Sequence, residues 1–167
     1  MVERIDPAFA ADEFTTLCEF LDFYRATLLI KVDGLCDLDA RARACPPSNL
    51  NLMGLVRHMA DVERSWFRRT LMDEAAPPIF YNDANIDGDL EPSTDDTLAA
   101  ARDALDAEIA VSRRNVRDMS LDRLALVDRP GDRPSLRWIM VHMIEEYARH
   151  CGHADLLREA IDASTGD

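Results

Sequence analysis

Glu146 and His150 stand four residues apart in a stretch, residues 135–163, whose apolar residues recur at helical spacing. Side chains four apart on a helix lie one above the other on one face. Leu136, Ile139, Met140, Met143, Tyr147, Cys151, Ala154, Leu157 and Ile161 make the apolar arc. At roughly 100° per residue, His150 falls inside that arc, Glu146 at its edge, and His142 and His153 just beyond it. A carboxylate and an imidazole at the margin of a buried face are costly to bury unpaired. A divalent metal ion would satisfy both.

Two ligands do not hold a catalytic ion, so a third should come from another helix. The remaining histidine, His58, lies in a second amphipathic segment. Two imidazoles and one carboxylate leave a coordination position open for water or substrate, which distinguishes catalytic from closed structural sites. Water or a thiol bound there would be acidified and become a nucleophile at neutral pH. Zinc suits these ligands, and so do nickel and ferrous iron. Spacing leaves rivals along the same stripe: His153 for His150 and His142 for Glu146. Glu145 points further from the core and reads as a solvated carboxylate. The plainer account of a Glu-x-x-x-His pair is a surface contact within one helix.

The elements that must position these residues follow from the chain as a whole. With 167 residues it makes one domain, residues 1–167, long enough for a real core. The formal charge of -13, from 19 basic and 32 acidic residues, argues against nucleic acid and against docking on an anionic membrane. No apolar run approaches a membrane span, and the start does not read as a signal peptide, so a cytoplasmic protein is expected. Cys18, Cys36, Cys45 and Cys151 have no metal-binding spacing and read as reduced thiols, with Cys151 turned into the core.

Four amphipathic helices are expected, over residues 12–32, 49–73, from Ser93 to about 119, and 135–163. The first carries Phe14, Leu17, Leu21, Tyr24 and Leu28 on its periodic face, and Gly34 ends it. The second, capped at Ser48–Asn49, has Leu52, Leu55, Val56, Met59, Val62, Trp66 and Phe67 inward, with His58 at the border. Arg57, Arg64, Arg68 and Arg69 alternate with Asp61 and Glu63 and read as a solvated face. The connections 35–47, 77–92 and 120–134 are rich in Pro, Gly, Asn and Asp and read as loops. Phe80 and Tyr81 in the middle one could fold over a site mouth, as could Trp66 and Arg149. The expected fold is all-α, a four-helix bundle whose helix order the long connections leave open.

Two stretches carry a family resemblance. They are Leu55-Val-Arg-His58-Met-Ala-Asp-Val-Glu-Arg-Ser-Trp66-Phe and His142-Met-Ile-Glu-Glu146-Tyr-Ala-Arg-His150-Cys-Gly152-His153. With the order of helices and loops, they resemble the DinB-like superfamily, in its small bacterial branch of unassigned function. That resemblance implies a four-helix bundle of the DinB-like type with a divalent ion held by His58, Glu146 and His150. Glutamate at position 146 is the pattern of the related mycothiol-dependent maleylpyruvate isomerases. Cys151 and His153 depart from the family's usual Arg and Gln, which gives His153 a supporting place behind the ligands. The implied activity is a metal-dependent thiol transferase acting on a small-molecule thiol, such as mycothiol, and an electrophile. Lys31 as the one lysine is compatible with a high-GC bacterial source. The alternatives are a non-catalytic metal-binding or stress-associated bundle with a vestigial site, and a hydrolytic or iron-dependent enzyme. A homodimer through exposed helix faces is a further expectation.

Overall fold

The computed structural model describes residues 3–166; Met1, Val2 and Asp167, from the lead-in and the C-terminal end of the expected domain, lie outside the described residues. Asp12 opens the first helix, α1 (Glu13–Lys31), by accepting from the Thr15 N–H at 3.1 Å. Within the expected 35–47 loop lies a short helix, α2 (Asp37–Ala40). Its Asp37 carboxylate accepts from the Leu98 N–H at 2.7 Å and so caps a later helix. The next helix, α3 (Leu52–Glu63), starts at Asn51, whose side chain accepts from the Gly54 N–H. Ser48 and Asn49, the expected caps, stay in the connection.

From Arg64 to Thr70 the chain continues as a π-helix. Apolar periodicity carries no signal for this change, because both helices turn a stripe inward. The fourth helix, α4 (Leu98–Val116), is capped by Thr97. Ser93 instead donates through its N–H and hydroxyl to the Asp96 carboxylate, closing a turn before the helix. The last helix, α5 (Leu136–Asp162), begins at the expected cap, with Ser135 Oγ accepting from the Trp138 N–H.

Hydrogen bonds fix the directions. Glu13 at the start of α1 meets Arg137 at the start of α5, while Arg158 near the end of α5 donates to the carbonyls of Lys31 and Asp33. Those two helices are therefore parallel neighbours. Arg57 binds Asp96 just before α4, and Asn115 near its end donates to the Phe67 carbonyl, so α3 and α4 are also parallel. The two pairs run opposite ways, since Trp66 meets His142 and His58 meets His150. The chain is an all-α four-helix bundle, running up, down, down and up. Leu28, Leu55, Met59, Leu105, Ile139, Met143 and Tyr147 fill its centre. Among the described residues there is no named strand, and no helix is long and apolar enough to cross a membrane.

The charged face expected on the second helix is solvated only in part: Arg69 is exposed, and Arg64 and Arg68 are half-buried. Arg57, Asp61 and Glu63 are buried, Glu63 completely. Each has a partner on another element, which a single sequence does not reveal. Glu63 accepts from Arg25 through two hydrogen bonds of 2.8 Å, from Ser112 Oγ and from the Tyr147 hydroxyl. Asp61 accepts from the N–H groups of Ile79 and Phe80. Arg57 reaches Asp96 and the Gly88 carbonyl and lies over the Phe80 ring. Together Arg57 and Asp61 fasten the connection between α3 and α4 across the bundle.

Candidate metal centre

That fastened connection delivers a residue to His58. Gly54 lies one turn before His58, and a Cβ there would stand 2.7 Å from the Leu90 carbonyl oxygen. With no side chain at Gly54 the backbone around Leu90 lies directly on α3, and Asn51 donates to the same carbonyl. Asp89 then reaches the imidazole, with Oδ2 2.7 Å from His58 Nδ1. A carboxylate only accepts, so Nδ1 is the donor to Asp89, and in the neutral ring Nε2 presents the lone pair. Asp89 gave no sequence signal, because it lies in an irregular loop with no periodicity to place it.

From the facing helix α5 come Glu146 and His150. One ligand atom from each of His58, Glu146 and His150 lies within 4.8 Å of the others. His150 Nε2 is 3.5 Å from Glu146 Oε2. Ligands about 2.1 Å from a tetrahedral ion are separated by about 3.4 Å. On His150 the other ring nitrogen, Nδ1, faces Nδ1 of His153 at 3.4 Å. Each imidazole thus has one nitrogen turned to a supporting group and one left for a ligand bond, the usual arrangement behind a bound metal. The donor set and its spacing fit a divalent ion.

A second grouping, His142, Glu145 and Glu146, also brings its atoms within 4.8 Å. It draws on one helix only, and Glu145 is exposed and paired with Arg149. The His142 ring is stacked on Trp138 and meets Trp66 edge-on, with centroids 5.0 and 4.7 Å away, and the two tryptophans also touch each other. Its Nε2 is 3.6 Å from Glu146 Oε1. His142 thus backs the glutamate rather than opening on the cavity.

A cavity of about 280 Å³ lies beside His58, the one member of the ligand cluster that lines it, with Asp61, Ser65, Trp66, Tyr81 and Arg129 on its wall. Phe80 is turned under Arg57, and Arg149 is at the exposed surface. Larger hollows occur elsewhere, such as about 420 Å³ between α1 and α4, but none of the ligand cluster lines that one.

Residues 16–163 match the mycothiol-S-transferase family. The chain belongs to that family. As a mycothiol-S-transferase family member it has the DinB-like fold expected above. A crystal structure of a conserved protein from Enterococcus faecalis aligns with a TM-score of 0.62 and 15% identity, over 93% of this chain and 100% of that one. At that identity the likeness concerns the fold alone. No curated protein matches the chain.

Electrostatics separate the two groups that could be nucleophiles or bases here. Burial pushes the Cys151 thiol up to about 12, so this family member carries an inert thiol beside its cluster. His150 moves the other way. Burial, then the positive potential of His58, His153 and Arg149, brings it from 6.5 down to about 4. Its imidazole is neutral at pH 7, the form that ligates a metal. In metal-free protein the unfolded chain binds this proton more readily than the folded one. The stability that His150 contributes is therefore complete above about pH 6.5 and declines as the pH falls toward about 4. Thermal melts of metal-free protein across that window should show the decline, and His150→Gln should flatten it.

Proposed function

We propose that the chain is a metal-dependent S-transferase that activates a small-molecule thiol, in keeping with its family, for attack on an electrophile. The observation that carries this reading is the convergence of His58, Glu146 and His150 from two facing helices, with His58 also lining a cavity. Three protein ligands leave a position for a reactant. When bound there, a divalent ion, zinc by this donor set, supplies Lewis-acid stabilisation of negative charge on sulfur at neutral pH.

The residues of the chain do the rest. Asp89 holds His58 in the tautomer that presents Nε2, and His153 lies behind His150. Trp66, edge-on to His142 and tilted against Trp138, gives the cavity an apolar wall. That wall shields the reacting sulfur from water on one side. In the transfer itself the thiol gives up its proton to solvent. The sulfur electron pair forms the S–C bond, and the leaving group departs with its own pair.

The test uses cobalt-loaded protein titrated with N-acetylcysteine. A sulfur-to-metal charge-transfer band is expected with the thiol and not with N-acetylserine. Conjugation of mycothiol to monochlorobimane should then require His150. A chain that binds cobalt yet shows no band and no conjugation would be a metal-binding bundle without thiol chemistry.

A further inference from the structure

Arg129 stands in the connection between α4 and α5 and reaches the wall of the same cavity as His58. Its guanidinium is held in place without being neutralised. Nε donates to Thr70 Oγ1 at 3.1 Å, and Nη2 donates to Ser65 Oγ at 2.8 Å and Thr70 Oγ1 at 2.7 Å. Its carbon lies 4.4 Å from the centroid of the Trp66 ring. No described residue accepts a hydrogen bond from Nη1, and no described carboxylate pairs with Arg129.

The chain has 32 acidic residues against 19 basic ones, yet Arg129 is among the arginines that no described carboxylate neutralises. Arg25, Arg57, Arg64, Arg68 and Arg137 all have carboxylate partners. Two carboxylates are close to Arg129 in sequence, yet both turn to Arg133: Asp128 to its side chain and Asp132 to its N–H. The acids lining the cavity are also engaged, Asp61 by two backbone N–H groups and Asp89 by His58 and the Leu90 N–H. Burial and then the nearby charge of Arg69 hold Arg129 below the usual guanidinium range. Arg69 itself is exposed and donates to the Tyr81 hydroxyl on the cavity wall.

The π-helix explains how the side chain is held. Ser65 and Thr70 are five residues apart, which on an α-helix would put them roughly 140° apart. A π-helix bonds residues five apart, so it places both hydroxyls on one side. The Val127 and Leu126 N–H groups donate to the carbonyls of Thr70 and Leu71, which docks the Arg129 loop on the end of that helix.

We propose that Arg129 is an anion-binding residue of the mouth, and that the molecule entering beside the metal centre carries a carboxylate or a phosphate-type group seated on its Nη1 side. The proposal rests on reading this cavity as the reactant entrance. With Nε and Nη2 committed to Thr70 and Ser65, the N–H groups of Nη1 are left to donate a charge-assisted hydrogen bond to such an oxyanion.

The probes are succinate, inorganic phosphate and the neutral succinamide, followed by tryptophan fluorescence because Trp66 lies under Arg129. A saturable change is expected with succinate or phosphate and not with succinamide, and which of the two binds more tightly identifies the group. It should be the same in metal-free and zinc-loaded protein and at least tenfold weaker in Arg129→Gln. A readout on unaltered protein guards against a variant that does not fold. Phenylglyoxal modification of Arg129, mapped by mass spectrometry, should slow with succinate and not with succinamide.

No saturable response to either anion, a response that survives Arg129→Gln in folded protein, or one seen only with zinc would overturn the proposal. So would modification that the anions leave unslowed. Metal content is measured alongside. One ion per chain without anion binding removes this inference alone, and anion binding without metal removes the metal reading alone.

Discussion

Replacing Glu63 with leucine is expected to destabilise the fold by about 3–5 kcal/mol. For a chain of this size that is a fall in Tm of about 6–20 °C. The carboxylate is completely buried and is the common acceptor of Arg25, Ser112 and Tyr147. Burial alone would depress Arg25, but the charge and hydrogen bonds of Glu63, with Tyr147 and Asp22, together outweigh it and hold the guanidinium above its usual range. Removing the acid leaves a buried cation with only the partly exposed Asp22 as a charge partner. It also leaves the Tyr147 hydroxyl, whose pKa burial and the Glu63 charge raise, without its acceptor. Denaturant unfolding reads the loss. The double variant Arg25→Met with Glu63→Leu should recover most of it, because removing both members of a buried pair is far cheaper than removing one. A single variant within about 1 kcal/mol of the native protein would show that water reaches this network.

The second large effect concerns the metal. About one divalent ion per chain is expected in zinc-incubated protein by elemental analysis, and none in His58→Ala, Glu146→Ala or His150→Ala. Asp89→Asn should keep the fold and bind about 10–100-fold more weakly, the usual effect of losing the carboxylate behind a ligating histidine. The neighbouring grouping supplies a control. His142→Ala removes a member of the single-helix cluster while leaving the other three in place. Retention of the ion in His142→Ala and its loss in His150→Ala assigns the centre to the facing helices. The reverse result would move it to His142, Glu145 and Glu146.

The last helix was the most legible part of the sequence. Its serine cap, its apolar spacing and the Glu146–His150 pair all follow from local rules that act within a few residues. The bundle follows from four such stripes, since each must bury its face against another. What sequence reasoning missed depends on partners distant in the chain. Arg57, Asp61 and Glu63 have the same spacing as a solvated charged face, and only the elements opposite them decide between water and a partner. Asp89 and Arg129 sit in irregular connections, where position is set by docking on α3 and its π-helical extension. One signal was available at Gly54: a glycine inside a helix and one turn before a histidine marks a close approach of backbone.

The parallel pairing of the first and last helices has a consequence for how the protein is made. Glu13 and Arg137 are 124 residues apart in the chain, and Lys31 and Arg158 are 127 apart. Contacts of such long range form only after a large loop has closed, so they come at an entropic cost and slow the search. During synthesis α1 must wait for nearly the whole chain before its parallel neighbour α5 exists. The same delay applies to the centre itself: His58 emerges early, while its partners belong to the last helix. On the proposed reading, metal uptake would be tied to the closing step of folding, because the three ligands come together only when the last helix docks.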